Sequence, residues 1–570
     1  MDKRDVARTL EQIAAILEIK GENPFKVRAY ENAARAVDAL SEDLGTLIAE
    51  KRLSEVRGIG SSIQKNVEEL WTTGKMKYFE DLCATVPVGW FDMMRIPGLG
   101  PKRIRTLCDL LQIASVEALK EAAKGGRIRG LKGFGEQSEK KILEGIAFLE
   151  RGGQRELAAV VRPIAEEILA ALRDRKDVIR AELGGSLRRW VETVKDVDLL
   201  VATKKPGAVA KAFLALLPQA SIIAQGDTKV SVRLPTGLAV DLRLVTDAQF
   251  PFALHYFTGS VAHNVRVRQR AIERGFSLNE YELSGGEHAP IASEADLFQV
   301  LGMAYVEPEL REDRGEIEAA ETGRLPGLVT ARDLKGILHC HTTASDGKST
   351  LEEMAEAAVV AGAEYLGISD HSQSVRYAGG LSEEDLIRQG REIDKWNSKS
   401  RDLRILKGAE VDIMPDGTLD YPDRVLERLE FVVASVHTNL NMGEDEMTAR
   451  VVKALRNKHV SILAHPTGRL LLQREGFRIR FDEVFRVAAQ EGVVVEINAH
   501  ARRLDLDWRE IPAARALGVK FAIDPDAHHV SGYQDLRYGI GAARKGWLGK
   551  DDIVNTLPVE GALEFFRARR

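Results

Sequence analysis

The sequence predicts a multidomain α/β protein: a helical N-terminal region, an α+β domain, and a C-terminal parallel βα barrel or sheet of seven strands. Three observations carry this reading. Short amphipathic stretches broken by three similar glycine turns fill residues 1–152. After Arg151-Gly152-Gly153 the pattern changes to alternating strands and helices. From Gly336 onward, seven short β-rich runs, most separated by a helical segment, end in polar residues. At about 150 residues per domain, 570 residues allow three to five domains.

Composition narrows the classes. Apolar and charged fractions of 44% and 29% are ordinary for a soluble globular protein. No apolar run is long enough for a transmembrane helix, and MDKRDVARTL lacks a signal core. Cys83, Cys108 and Cys340 are odd in number and far apart, which fits a reducing compartment. A cytoplasmic location without a membrane partner is therefore expected. A net charge of −5 excludes a uniformly basic coat but not local patches. Arg95 to Lys141 holds eleven lysines and arginines against five acids. Nine of the twelve histidines follow residue 334, which suggests a second kind of chemistry there.

The three turns are VRGIGSSIQKNV (56–67), IPGLGPKRIRTL (96–107) and LKGFGEQSEKKIL (131–143). Each sets an apolar residue between two glycines: Gly58 and Gly60, Gly98 and Gly100, Gly133 and Gly135. Glycine permits the turn and lets a phosphate approach the N–H groups of the next helix. This is the helix-hairpin-helix pattern of sequence-independent DNA binders. Lys102, Arg103, Lys140 and Lys141 suit phosphate neutralisation, although a solvated charged face would look similar.

The next region turns on GGSLRRWVETVKDVDLL (184–200). Asp196 and Asp198 lie two apart on an apolar, β-branched strand, so both face one side. Their repulsion calls for a cation, and hard oxygen ligands suit Mg²⁺ or Mn²⁺. Gly185 and Ser186 offer backbone N–H groups and a hydroxyl to phosphate oxygens. A bare Asp-x-Asp also fits an acidic surface strand. Asp241, on the second strand of the hairpin KVSVRLPTGLAVDLRLV (229–245), supplies the third carboxylate a two-metal phosphoryl-transfer site needs.

GGSLRR with DVD, then VDLRLV, then YFTGS and RGFSLNEY, resembles the family X DNA polymerases across most of residues 5–310. The resemblance implies a nucleotidyltransferase palm in which Asp196, Asp198 and Asp241 hold two divalent ions. Gly185, Ser186 and Arg189 match the family's triphosphate contacts. Tyr256, Phe257 and Gly259 match the segment under the sugar, though Phe257 also suits simple packing. Asn264 matches the contact to the incoming base and Arg268 the template contact. Lys26 and Tyr30 fall at the lyase domain's DNA-end positions. The family's Schiff-base lysine position is Asn66 here, and an amide forms no imine. Deoxyribose-phosphate lyase activity is therefore expected to be weak or absent, with Lys65 the neighbouring alternative.

Residues 306–333 are charged, punctuated by Gly and Pro, and read as a linker. Beyond it, ligand-type residues gather at strand ends, the active-site edge of βα architectures. They are His339, His341, Asp346, Asp370-His371, Glu410, His437, His465, Asp526 and His528. His459, His500 and His529 break the pattern. Mixed imidazole and carboxylate ligands suit Zn²⁺ or Mn²⁺, and the set is large enough for two or three ions.

The motifs HCHTTASDG, SDH, GAE, SVH, AHP and DPDAH are similar to those of the PHP (polymerase and histidinol phosphatase) domain, from 335 to about 565. The resemblance implies a distorted (β/α)7 barrel and phosphoester hydrolysis at a metal centre held by those residues, with Asp370 orienting a neighbour. Arg469 could hold a phosphate oxygen. The chain would divide into a lyase-like domain (1–85), a helix-hairpin-helix subdomain (86–152), the palm (153–250), a nucleotide- and template-binding subdomain (251–315), a linker (316–334) and the PHP domain (335–570). The expected function is short-gap filling with dNTPs on gapped or nicked duplex DNA, by a monomer. The PHP domain would add a 3′→5′ exonuclease, AP-endonuclease or 3′-end processing, within base-excision repair. The alternative is a polymerase whose PHP domain is purely structural.

Overall fold

The computed structural model describes residues 3–38, 40, 44–56, 58–87, 89–94, 96, 99–152 and 155–569. The chain forms two compact units, Met1–Gly153 and Gln154–Arg570. In the first, helices Lys3–Lys20 and Pro24–Asp38 bury Leu10, Ile13, Leu17 and Ala34 against Ile63 and Val67 of helix Ser61–Thr73. A second core joins Leu99, Ile104, Leu119, Ile142 and Ile146.

The three glycine turns share one geometry. In each, the residue between the glycines donates to the carbonyl three residues back: Ile59 to Val56, Leu99 to Ile96, Phe134 to Leu131. A helix follows at Ser61, Pro101 and Glu136. The prolyl nitrogen at Pro101 has no N–H, which costs nothing in a first turn. No heavy atom would meet a Cβ at Gly60, Gly100, Gly133 or Gly135, so these turns are open to an approaching backbone. Gly98 lies outside the described residues.

The second unit begins with a five-stranded mixed sheet. Its strands are β1 (Val178–Leu183), β2 (Asp196–Thr203), β3 (Ser221–Gln225), β4 (Lys229–Arg233) and β5 (Ala239–Val245), in the order β1-β2-β5-β4-β3. β2 and β5 run parallel; the other pairs are antiparallel. Period two sorts the faces of β2. Val197, Leu199 and Val201 pack under helices Ala158–Arg173 and Pro206–Leu216, while Leu200 and Ala202 pack under helix Phe250–Thr258. Asp196 and Asp198 share the latter face, at the start of the strand.

Helices Val261–Glu273 and Glu294–Val300 build the next core with Val267, Leu297, Phe298 and Leu301. A buried charge group crosses from it to the glycine turn. Glu294 accepts from Arg188 Nη2 at 2.6 Å and from the fully buried Arg311. Burial opposes charge on Glu294, but the two guanidiniums hold its carboxyl well below the usual range.

The structure departs from a free linker between these parts. Helix Glu316–Glu321 packs Ile317 and Ala320 into the preceding core, and Val329 enters the core of the final domain. The charged composition had hidden three apolar anchors spaced too irregularly to show a period.

The last domain is an all-parallel barrel of seven staves: β6 (Gly336–Ile337), β7 (Tyr365–Ile368), β8 (Arg404–Lys407) continued by β9 (Glu410–Asp412), β10 (Val433–Ser435), β11 (Ile462–Leu463), β12 (Val494–Asn498) and β13 (Phe521–Asp524). Bridges His371–Glu410 and Cys340–Ala527 join the two halves and close the ring. Val433, Ile462, Val494 and Ala522 form one apolar cluster with Ala562, Leu563 and Phe566 of helix Val559–Arg567. The same strand faces continue to His437, Glu496, Asp524 and Asp526.

Replacing Arg311 with Met should strand Glu294 beside a single arginine and lower stability by about 3–5 kcal/mol. Because the folded Glu294 carboxyl is held low, its contribution is present above its ordinary range and fades as pH falls below it. Denaturant unfolding of wild type and variant at neutral and acid pH checks both; equal stability at neutral pH would contradict the account.

Candidate active sites

The first site lies at the N-terminal end of β2. In the β2–β5 register Asp198 stands opposite Asp241, and Asp196 projects from the same face two residues earlier. Gly184 N–H donates to Asp198 O at 2.8 Å, which lays the glycine turn across the strand. Gly185 has φ +58, and a Cβ there would overlap Asp198 Oδ2. Only glycine lets the backbone come this close. Burial, then Asp196 and Asp241, raise the Asp198 carboxyl to about 6, against the pull of Arg243 and Lys229. Lys229 Nζ meets Asp241 Oδ2 at 2.6 Å. Three carboxylates answered by Lys229 and Arg243 remain short of positive charge, and the oxygen-only donor set suits a hard divalent cation.

The YFTGS segment closes over this turn. A Cβ on Gly184 would stand 3.3 Å from Phe257 O. Arg243 lies 4.0 Å over the Phe257 ring and Arg268 lies 5.1 Å over Tyr256. The sequence-assigned residues Gly185, Ser186, Arg189, Tyr256, Phe257, Gly259 and Arg268 thus gather at one place. Arg189 and a further sequence-assigned residue, Asn264, have structural partners that the sequence did not reveal. Arg189 donates to Glu312 at 3.0 Å and to Thr258 O, so a phosphate must compete for it. Asn264 is buried and donates to Tyr256 O at 2.8 Å, which positions Tyr256 rather than reaching outward.

The second site fills the mouth of the barrel. Glu410 is its hub. Oε2 lies 3.4 Å from His339 Nε2, 3.5 Å from His341 Nε2 and 2.9 Å from His371 Nδ1. Oε1 lies 3.3 Å from His437 Nε2 and 3.0 Å from His465 Nε2. Three ligand groups draw to within 4.8 Å: His341, Asp346, His371 and His528; His339, His341 and Asp526; His371, Glu410 and His437. All nine assigned residues are therefore brought together. His339 Nε2, both His341 ring nitrogens and Glu410 Oε2 are buried without a hydrogen-bond partner. Orphaned imidazole and carboxylate donors of this kind fit divalent metal.

Charges in the pocket follow from burial and neighbours. Burial, His528 and His371 lower the His341 imidazole to about 3. Burial opposes a proton on His437, but Glu410 and Asp412 outweigh it and raise the ring to about 10. His528 is raised to about 9, against burial, by Asp346 and Asp526. The supporting residues were less legible. Glu496 accepts from His339 Nδ1 at 2.6 Å and from His465 N–H at 2.7 Å. Asp412 faces His437 Nδ1 at 3.3 Å. Acids buried inside the runs VVVEIN and GAEVDI were the available signal. Asp370 is no ligand: it accepts from Thr342 N–H, Thr342 Oγ1, Ser345 Oγ and Gln389, and so fixes the loop that carries Asp346.

Arg469 departs from the expected phosphate contact. Its guanidinium donates to Arg503 O at 3.0 Å, to Leu504 O and to Asp507, which buttresses that loop. Arg503 instead reaches the site, with Nε 3.6 Å from Asp526 Oδ2. In the first unit, Tyr30 is another correction. At 4% exposure its ring is core, stacked on Tyr78 at 5.8 Å, and its hydroxyl accepts from Asn66 Nδ2 at 3.0 Å. Lys26 is exposed and stands 5.3 Å over the Tyr78 ring. Lys102 is exposed, 3.7 Å from Glu18.

With this geometry in hand, similarity to known proteins is informative. Four family models match: a helix-hairpin-helix domain over residues 1–76, a SAM-like helix-hairpin-helix tandem over 92–147, the DNA polymerase beta thumb over 253–312 and the PHP domain over 338–500. DNA polymerase/3′-5′ exonuclease PolX of Bacillus subtilis (strain 168) is 40% identical over the full length of both chains. The chain belongs to the bacterial family X DNA polymerases with a C-terminal PHP domain. A probable phosphatase of Acetivibrio thermocellus is 34% identical over 29% of this chain and 64% of its own. One of Thermoanaerobacter sp. (strain X514) is 27% identical over 39% of this chain and 91% of its own. Within this family X chain, no helix among the described residues is long and apolar enough to cross a membrane.

Replacing Gly185 with Ala should displace Asp198 and cut nucleotide insertion about 100-fold, while 3′-end hydrolysis persists. Steady-state insertion assays check this, and near-normal insertion would contradict the close approach. At the barrel site, His437 and His528 hold protons at pH 8 because their folded values lie above it. Ligands bind metal unprotonated, so Mn²⁺ loading at pH 8 should release protons. Calorimetry in buffers of different ionisation enthalpy reads this directly; buffer-independent heats would refute it.

Proposed function

We propose that the chain is a DNA-directed DNA polymerase and 3′→5′ exonuclease, with one activity in each of the two sites of its second unit. The observation that carries this is the presence of both complete donor sets on separate scaffolds, in a chain whose full length matches the Bacillus polymerase/exonuclease. The polymerase would fill short gaps in duplex DNA with dNTPs, using Mg²⁺ or Mn²⁺. The nuclease would use Mn²⁺ or Zn²⁺ in two or three positions. The family resemblance supports a monomeric repair enzyme acting on gapped or nicked DNA in base-excision repair, and the few scattered cysteines suit the cytoplasm.

Divalent ions at these sites would supply Lewis-acid charge to the phosphates and activate the attacking oxygen. The protein supplies the rest. Asp196, Asp198 and Asp241 would hold the polymerase ions, and the Gly184–Arg189 turn would orient the triphosphate. Tyr256 and Phe257 would meet the sugar and Arg268 the template. At the barrel, Glu410 and the eight ligand residues around it would hold the nuclease ions, with His437 and His528 as unprotonated rings. The open turns at Gly60, Gly100, Gly133 and Gly135, with Lys102, would grip phosphates without reading sequence. Asn66 occupies the position of the imine-forming lysine, so lyase activity would be weak or absent unless Lys65 substitutes. The orphaned ligands favour an active barrel over a purely structural one.

A labelled gapped duplex with Mn²⁺, assayed with and without dNTPs, tests the assignment. Asp198→Ala should abolish extension and leave 3′-end shortening; His341→Ala should do the reverse. Joint loss in either folded variant would sink the two-site reading.

A further inference from the structure

The segment leaving the glycine turn is built against the PHP domain. Val191 N–H donates back to Ser186 O at 3.0 Å, so residues 189–192 and the turn move as one piece. Trp190 has φ +55, in the left-handed region that bulky residues avoid. Such a conformation persists only where its surroundings over-determine it. Here they do. The indole lies on Gly541 of helix Leu536–Lys545, where a Cβ would stand 2.6 Å from Trp190 Cε3. Tyr538 meets it edge-on at 6.3 Å.

The carboxylates beside the turn are held from the same side. Glu192 accepts from Trp508 Nε1 at 3.1 Å and from Arg509 Nη1 at 2.7 Å. Glu312 Oε1 is shared by Arg189 Nε at 3.0 Å and the buried Lys545 Nζ at 2.6 Å. Lys545 also stands 4.4 Å over the Trp508 ring. By sharing Glu312, Lys545 weakens its hold on Arg189 and leaves that guanidinium available to another anion.

We propose that the PHP domain is the outer wall of the polymerase's nucleotide-binding turn, with Trp508, Arg509, Gly541 and Lys545 as positioning residues that set how tightly an incoming dNTP is held. This rests on reading Gly184–Arg189 as the triphosphate turn. The wall touches neither set of metal-ligating residues, so its effect falls on nucleotide binding.

Single-nucleotide insertion by the full chain on gapped duplex tests it, with Gly541→Ala and Trp508→Phe. Each should raise the dNTP KM about fivefold with kcat within about twofold, and the pair should show less than the product of the two effects. Hydrolysis of 3′-ends by the same preparations reports folding. If Gly541→Ala loses both activities, Trp508→Phe decides, because it keeps an aromatic ring at the site while removing the indole N–H that Glu192 accepts. An unchanged KM in the folded variants, while Arg189→Ala raises it, overturns the wall. An unchanged KM in Arg189→Ala overturns the triphosphate reading beneath it.

Discussion

Glu410 stands among five imidazoles with no protein donor to satisfy Oε2, and Asp198 stands opposite Asp241 across a parallel ladder with Asp196 two residues before it on the same face. A carboxylate taken out of water must be answered by positive charge. Three such groups organise the second unit, and each is answered differently. Glu294 has two guanidiniums and is finished as a structural tie. Asp198 has neighbouring Asp241 paired with Lys229, and its own carboxyl is pushed up to about 6. Glu410 has the raised imidazole of His437, whose proton a divalent ion can replace. The first group stabilises; the other two wait for cations, and that difference separates scaffold from site.

The scaffold sets these charges by strand periodicity. The later part of one face of β2, Leu200 and Ala202, is sealed by helix Phe250–Thr258, leaving Asp196 and Asp198 at the start of the strand. The barrel repeats the device. Apolar side chains fill one end of the strand faces, and the same faces carry His437, Glu496 and Asp526 at the other. Supporting residues then aim the ligands: Glu496 orients His339, Asp412 orients His437, and Asp370 shapes the loop of Asp346.

Much of this was readable because chemistry and periodicity coincide. The seven βα runs, the Asp-x-Asp face and the nine barrel ligands depend on local spacing, which a sequence displays. What it hides is long-range. Nothing near Arg189 reveals Glu312, and nothing near Arg469 reveals the loop at 503–507 that its guanidinium buttresses. Tyr30 looked available because it falls at a DNA-end position of the family's lyase domain; its place in the first core is decided by Tyr78 and Asn66. The segment at 306–333 looked like a spacer because Ile317, Ala320 and Val329 follow no period, yet each finds a core.

The central claim is that one carboxylate, Glu410, ties the barrel's metal positions together. Metal content per chain after equilibration with Mn²⁺, compared between wild type and Glu410→Gln, tests it most directly. The account predicts that the variant stays folded, loses more than one equivalent of bound Mn²⁺, and retains nucleotide insertion at the other site. Loss of no more than one equivalent would contradict it.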